Sequence, residues 1–177
     1  GDVDHDLRVR YWKTQDELVS TLFDQLADDL ADDIAARGEA PAVEFRKRWP
    51  QAFNRNPSYL QVLTPYRGEF FGFEELNRLC QERVQARRPD GTNSLDGIML
   101  FDKVIQIRNR PTSHPIAAWN HDRKCPERIE IFNGQLGFVW PHLFDKDKWK
   151  WSDFRPTRFR VTFARRDSYS VSFGTEL

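Results

Sequence analysis

Basic and aromatic side chains follow one another closely near the C-terminal end of the chain, in a pattern that could bind nucleic acid. The run holds Lys146, Lys148, Trp149, Lys150, Trp151, Phe154, Arg155, Arg158, Phe159, Arg160, Arg165 and Arg166. Rings can stack on unpaired bases while cations follow the phosphates, which is the usual equipment for single-strand binding. The alternative is a structural role, and strand-like alternation favours the core for Phe159 and Phe163. The cations that we expect to contact nucleic acid are Lys148, Lys150, Arg158 and Arg160, together with Arg108 and Arg110.

No catalytic signature accompanies this run. The G-x-x-x-x-G-K-[ST] loop is missing from the sequence, so it cannot build a complete P-loop ATP site, and no G-x-S-x-G, H-E-x-x-H or paired C-x-x-C occurs. His114, His121 and Cys125 share one loop and could hold zinc, but structural zinc usually has four ligands at tighter spacing. Asp102 and Glu130 lack the E-x-K of a nuclease. We therefore expect no catalytic residue and no metal site.

The formal net charge of zero hides an asymmetry. Residues 1–40 carry 11 acidic and 4 basic side chains, whereas residues 41–177 carry 16 acidic and 23 basic ones. A basic segment tolerates a polyanion, because Lys and Arg displace condensed counterions when they meet phosphates. An ordinary mixed-charge surface is the alternative.

Length and composition bound the class of protein. The 177 residues suffice for one domain or two small ones, and no apolar run approaches the roughly 20 residues that span a bilayer. The acidic N-terminus lacks the regions of a signal peptide. Cys80 and Cys125 have no motif spacing and are interpreted as reduced thiols. These features predict a cytoplasmic protein without a membrane partner.

The first 57 residues are predicted to form a helical lead-in segment. Thr14 and Glu17 have the spacing of a capping box, and a helix follows that ends near Gly38. Its apolar stripe recurs every four residues, at Leu18, Leu22, Leu26, Leu30 and Ile34. Residues 39–57 are interpreted as a connection in which Phe45 and Trp49 dock.

Residues 58–97 are predicted to hold one strand and one helix. Tyr59–Thr64 has the composition of a short buried strand, Pro65–Gly68 that of a turn, and Phe73–Arg87 that of a helix stopped by Pro89. Strand, turn and helix in this order make half of a βαβ unit.

Residues 98–177 are predicted to be antiparallel β structure. The expected strands are Met99–Arg108, Arg128–Phe132, Gln135–Val139, Arg158–Arg165 and a possible fifth, Ser168–Phe173. Asn133-Gly134 favours a type I′ turn and a hairpin, so Asn133, Gly134 and Gly137 are assigned structural turn roles. Short strands with polar outer faces suggest a small SH3-like barrel. The predicted fold class is therefore α+β.

Three segments, in this order, resemble segments of one helicase family. Gln61–Asn77 reads QVLTPYRGEFFGFEELN, Asp102–Asn109 reads DKVIQIRN, and Phe132–Val139 reads FNGQLGFV. The first resembles the opening strand, turn and helix of the second RecA-like domain in RecD/UvrD-type superfamily 1 DNA helicases. The other two resemble the start of the small barrel inserted in that domain, where the family often has GDKVIQ and NGDIG. Phe101 stands where the family usually has glycine.

The resemblance implies a fragment of an ATP-dependent DNA helicase that contributes DNA-path and coupling surface. The parent would bind ATP and Mg, and this chain alone no cofactor, because it lacks the P-loop and the H-K-x-Q-G-x-[ED]-F motif. The implied partners are single-stranded or forked DNA and the missing first motor domain of the same parent. Arg67 is carried over as an arginine facing the nucleotide or DNA cleft, with a surface ion pair to Glu69 as the alternative.

A different class of function fits the same elements. A stand-alone interaction module could bind a protein partner through its β-barrel and its acidic helix. An open reading frame with a P-loop upstream would favour the helicase, whereas a gene limited to these residues would favour the interaction module.

Overall fold

The computed structural model describes residues 9–53, 56–85, 94–141, 158–164 and 168–174, and these form three helices and eight strands. The helices are α1 (Gln15–Ala36), α2 (Phe45–Phe53) and α3 (Phe73–Val84). The strands are β1 (Ser94–Leu95), β2 (Ile98–Met99), β3 (Lys103–Ile105), β4 (Ile116–Asn120), β5 (Cys125–Ile129), β6 (Leu136–Pro141), β7 (Arg158–Phe163) and β8 (Tyr169–Gly174). The fold is α+β with antiparallel sheets, as predicted. None of the helices in these ranges has the length and apolar character needed to cross a bilayer.

Helix α1 follows its sequence signals. The Thr14 hydroxyl accepts a hydrogen bond from the Glu17 amide at 3.2 Å, while the Glu17 carboxylate accepts from the amide of Lys13 at 2.7 Å. These bonds satisfy amides that the first helical turn leaves unpaired. Gly38 closes the other end with φ of +77°, a conformation that favours glycine.

Helix α2 replaces the predicted connection over residues 39–57. Pro50 lies inside it and removes one backbone hydrogen bond. Because proline disfavours the interior of a helix, the sequence pattern did not predict one here. Its apolar side chains Trp49, Ala52 and Phe53 are buried. Packing of this face therefore outweighs the unfavourable proline.

The predicted strand Tyr59–Thr64 is wrong, whereas the helix after it is confirmed. The described residues from 56 to 72 contain no strand, and Leu63 is 86% exposed. A strand needs a neighbour for its backbone groups, and the described part of the chain supplies none here. Helix α3 begins at Phe73 as predicted and ends at Val84, before the predicted Arg87.

The main sheet has six antiparallel strands in the order β3-β6-β7-β8-β4-β5 and is not closed into a barrel. Beyond its two edge strands, a single bridge joins Arg110 to Ile131. The predicted Met99–Arg108 strand is divided between β2 and β3, and β4 lies where a loop was expected.

The predicted hairpin around Asn133-Gly134 is wrong. Among the described strands, β5 pairs with β4, and β6 pairs with β3 and β7, so these two neighbours in sequence do not pair with each other. Gly134 has φ of +87°, but Asn133 is not in the left-handed region that a type I′ turn requires at both positions. The turn therefore links edge strand β5 to β6, the neighbour of edge strand β3, at the place where the Arg110–Ile131 bridge joins the chain beyond the two edges.

The two faces of the sheet differ in what covers them. Strand alternation sends Val139, Phe159, Val161, Phe163 and Val171 to the inner face, where all are buried. On the outer face, Phe138 packs against Phe53 of α2 with ring centroids 6.0 Å apart. The Trp49 indole donates a hydrogen bond to the Phe101 carbonyl at 3.0 Å. The helices thus cover the β3–β6 side of the outer face.

Two adjacent charged residues tie the helices to the start of β3. The Asp102 carboxylate accepts hydrogen bonds from Gln81 of α3 at 2.6 Å and from the Met99 amide at 2.8 Å. Lys103 donates to the Leu60 carbonyl and lies over the Phe53 ring, 4.4 Å from its centroid. Burial raises the pKa of Asp102 to about 6 and lowers the pKa of Lys103 to about 8.

Gly137 lies inside β6 rather than in a turn, and its role is close packing. A Cβ atom built there would lie 2.6 Å from Cγ1 of Val161 on β7. We expect Gly137→Val to lower the free energy of unfolding by about 1–3 kcal/mol, because the inner face would be overpacked. Denaturant unfolding measures this. Gly68→Ala is the control, since a Cβ there meets no atom within 4 Å; equal losses in the two variants would contradict the packing role.

Asp102 gives the protein a characteristic pH dependence. Its pKa is raised from 3.8 to about 6, so between these values the folded state binds more protons than the unfolded state. Stability from this group therefore falls as pH rises from about 4 to 6, by at most about 3 kcal/mol. In Asp102→Asn this fall should be absent, so the difference in unfolding free energy between wild type and variant should change over that range. Parallel pH profiles would contradict the prediction.

Candidate nucleic-acid interface

The side of the outer face that the helices leave open carries one large ring among three arginines. Trp119 of β4 is 45% exposed. Arg128 of β5 and Arg158 and Arg160 of β7 point to the same side, as strand alternation and the pairing registers require. We call Trp119, Arg128, Arg158 and Arg160 the basic face.

The registers give the spacing within the basic face. Trp119 stands opposite Ser170 of β8, and Arg160 stands opposite Ser172 of the same strand. With strands about 4.8 Å apart and about 3.4 Å per residue, the Cα atoms of Trp119 and Arg160 are roughly 12 Å apart. Arg128 pairs with Ala117, two residues before Trp119. A ring therefore lies between cations on both sides, within reach of a short stretch of single strand.

A polar network beneath the face holds the end of β4 in place. The buried Asn120 donates to Glu127 at 3.1 Å, and its amide oxygen accepts from the backbone of Asp122 and Arg123 at 3.0 Å. The Tyr169 hydroxyl donates to the other Glu127 oxygen at 3.0 Å. Hydrogen bonds from Tyr169 and then Asn120 lower the pKa of Glu127. The strand that presents Trp119 is thereby joined to both β5 and β8.

His121 connects this strand end to Arg160. Its Nε2 atom shares a hydrogen bond of 3.0 Å with the Ser170 hydroxyl. Burial lowers the pKa of His121, and the charge of Arg160 lowers it further, while Asp122 opposes them. The imidazole is therefore sensitive to any change of charge at Arg160.

The structure brings together only some of the residues predicted from sequence. Arg158 and Arg160 lie side by side in space on the basic face. Arg108 and Arg110 are exposed in the segment after β3, where Arg110 bridges Ile131. Arg67 lies in the turn before α3, 81% exposed, and its ion pair is with Glu74 at 2.8 Å rather than with Glu69. Lys148 and Lys150 lie outside the described residues.

Trp119, Arg128 and His121 were not assigned to the interface from sequence. Trp119 and His121 fall in the stretch that was interpreted as a loop, and Arg128 begins the predicted strand Arg128–Phe132. The available signal was alternation, because Ile116, Ala118 and Asn120 face inward and leave Trp119 facing out. Recognising β4 would have identified the exposed ring.

The weaker chemical alternatives receive no support from the geometry. Within the described ranges, no three metal-binding side chains come together. His121 is hydrogen-bonded to Ser170, and the Sγ atom of Cys125 lies 3.6 Å from a carboxylate oxygen of Glu127. Asp102 is held by Gln81 and the Met99 amide, while Glu130 accepts a hydrogen bond from Thr112.

The coupling of His121 to Arg160 is measurable. We expect Arg160→Gln to raise the pKa of His121, because the variant removes a neighbouring positive charge. The titration of the imidazole ring protons by NMR measures the pKa directly. Arg46→Gln on the exposed side of α2 removes a charge elsewhere and should leave His121 unchanged; an equal response in both variants would contradict the coupling.

No protein-family model, curated protein or solved structure matches the chain. The function proposed for the chain is therefore based on the geometry of its own residues.

Proposed function

We propose that this chain binds single-stranded nucleic acid through the basic face. The observation that carries the proposal is the exposed ring of Trp119 among Arg128, Arg158 and Arg160 on one sheet surface. Stacking on an indole needs an unpaired base, since the bases of a duplex are already stacked. The arginines would follow the phosphates on either side.

We further propose that the chain is part of a superfamily 1 DNA helicase, comprising part of the second RecA-like domain and the inserted SH3-like barrel. One backbone feature supports the resemblance in addition to the matching sequence segments. Phe101, which stands where the family usually has glycine, has φ of +68°, in the region that favours glycine. The parent would be a cytoplasmic enzyme that binds ATP and Mg, and this chain would contact single-stranded or forked DNA and the first motor domain.

A protein-interaction module is the second candidate, and a separate observation favours it. The segment before α3 exposes apolar side chains, with Val62 at 42%, Leu63 at 86% and Tyr66 at 55%. Contiguous exposed apolar surface is a common mark of protein contacts. In the helicase proposal the same surface would face the remainder of the motor domain.

Trp119→Ala tests the stacking step. We expect its affinity for a fluorescein-labelled oligo(dT) to fall by about 5- to 150-fold, which corresponds to about 1–3 kcal/mol for one stacked base. Fluorescence anisotropy across a salt series measures both affinity and salt slope. The slope should stay as in wild type, because the variant removes no cation.

Arg46→Gln is the control for the anisotropy series, because Arg46 lies on α2 and pairs with Glu44. It should bind as wild type does. Absence of binding by wild type even at low salt would reject the nucleic-acid proposal and leave the interaction module. Full binding by Trp119→Ala would show that the strand lies on another surface.

A further inference from the structure

Arg160 is a half-buried cation that has no counter-ion among the residues that the structure describes. Its Nε atom is buried and has no hydrogen-bond partner in that part of the chain. The ion pairs found in the described part of the chain all involve other residues. Burial lowers the pKa of the guanidinium, so its surroundings disfavour the charge. A cation kept in this way costs stability, and an anion that contacts the terminal nitrogens of the guanidinium would offset part of that cost.

The side chains around Arg160 can donate hydrogen bonds to such an anion. Ser172 is exposed directly opposite Arg160 in the β7–β8 ladder. The charge of Arg160 lowers the pKa of His121, and a hydrogen bond to Ser170 orients the imidazole. The carboxylate of Asp122, next to His121, already accepts a hydrogen bond from Ser168 at 2.5 Å. The cluster therefore combines a cation with a hydroxyl and an imidazole.

We propose that Arg160, Ser172 and His121 form a seat for one phosphate group. The planar guanidinium presents donors in a fork that matches a phosphate, which a lysine would not reproduce. The source of the phosphate rests on the proposed function, in which the backbone of a single strand supplies it. The seat would then fix the position of the strand relative to the base stacked on Trp119.

The first experiment uses inorganic phosphate and follows the His121 ring protons by NMR at constant ionic strength. We expect saturable shifts in wild type and a higher pKa for His121 when phosphate is bound, because the anion offsets the charge of Arg160. Arg160→Gln should abolish the shifts, and Arg160→Lys should weaken binding by about tenfold through loss of the fork. Absence of shifts in wild type, or equal shifts in Arg160→Gln, would overturn the seat.

Folding of the variants is checked by their thermal midpoints. Arg160→Gln should have a midpoint close to that of wild type, since it removes a half-buried charge that burial disfavours. A large fall in the midpoint would show that Arg160 has a structural role and would overturn the proposal. Ser172→Ala offers a milder variant, which should weaken phosphate binding without changing the midpoint.

A second experiment tests whether a nucleic-acid backbone supplies the phosphate. It also distinguishes failure of the phosphate seat from failure of the proposed function. An oligonucleotide of abasic tetrahydrofuran sites should shift His121 in wild type and in Trp119→Ala, but not in Arg160→Gln. Failure of this oligomer to displace inorganic phosphate would overturn the nucleic-acid source. Binding of oligo(dT) that depends on Trp119 but not on Arg160 would overturn the seat and leave the proposed function standing.

Discussion

The packing of Phe53 on Phe138 is the contact on which the rest of the structure depends. It seats α2 on the outer face of β6, and the hydrogen bond from Trp49 to the Phe101 carbonyl fixes the same helix from a second point. Because the contact lies towards the β3 edge, the helical layer covers one side of the outer face. Helix α2 leaves the outer side chains of β4, β5 and β8 uncovered. The exposed ring and the cations of the basic face depend on this partial cover.

Phe138 also packs against Phe101, whose backbone conformation is unfavourable for a residue with a bulky side chain. Phe101 has φ of +68°, which costs an L residue with a bulky side chain about 1–2 kcal/mol. Its amide donates to the Val139 carbonyl at 2.9 Å, and its ring stacks near Phe138 with centroids 6.2 Å apart. The hydrogen bond and the ring contact together hold Phe101 in this conformation, so the strain persists. The turn that carries Phe101 also delivers Asp102 and Lys103 to the helices.

Local signals were sufficient for the elements whose stabilisation is local. The capping residues and apolar stripe identified α1, and alternation identified β7 and β8. Helix α2 was missed because Pro50 lies within it, and β4 was missed because polar residues and prolines flank its five residues. The Asn133-Gly134 turn exists, but the choice of strand partners is decided by contacts distant in sequence. Of the basic face, Arg158 and Arg160 were predictable, whereas Trp119 and Arg128 depended on recognising β4 and β5.

The sheet consists of a β4–β5 hairpin and the four strands β3, β6, β7 and β8, and the two parts meet along a short seam. Among the described residues, the pairs Trp119–Ser170 and Asn120–Tyr169 join β4 to β8, and the His121 amide extends the seam by donating to the Ser168 carbonyl at 2.8 Å. Contacts across the seam connect distant parts of the chain, as His121 and Ser170 are 49 residues apart. Non-local pairs carry a larger loop-closure cost in folding than local ones, and regions with few contacts open most readily in the native state. We therefore expect the surface that carries Trp119 and His121 to be complete only when these two parts of the sheet are joined.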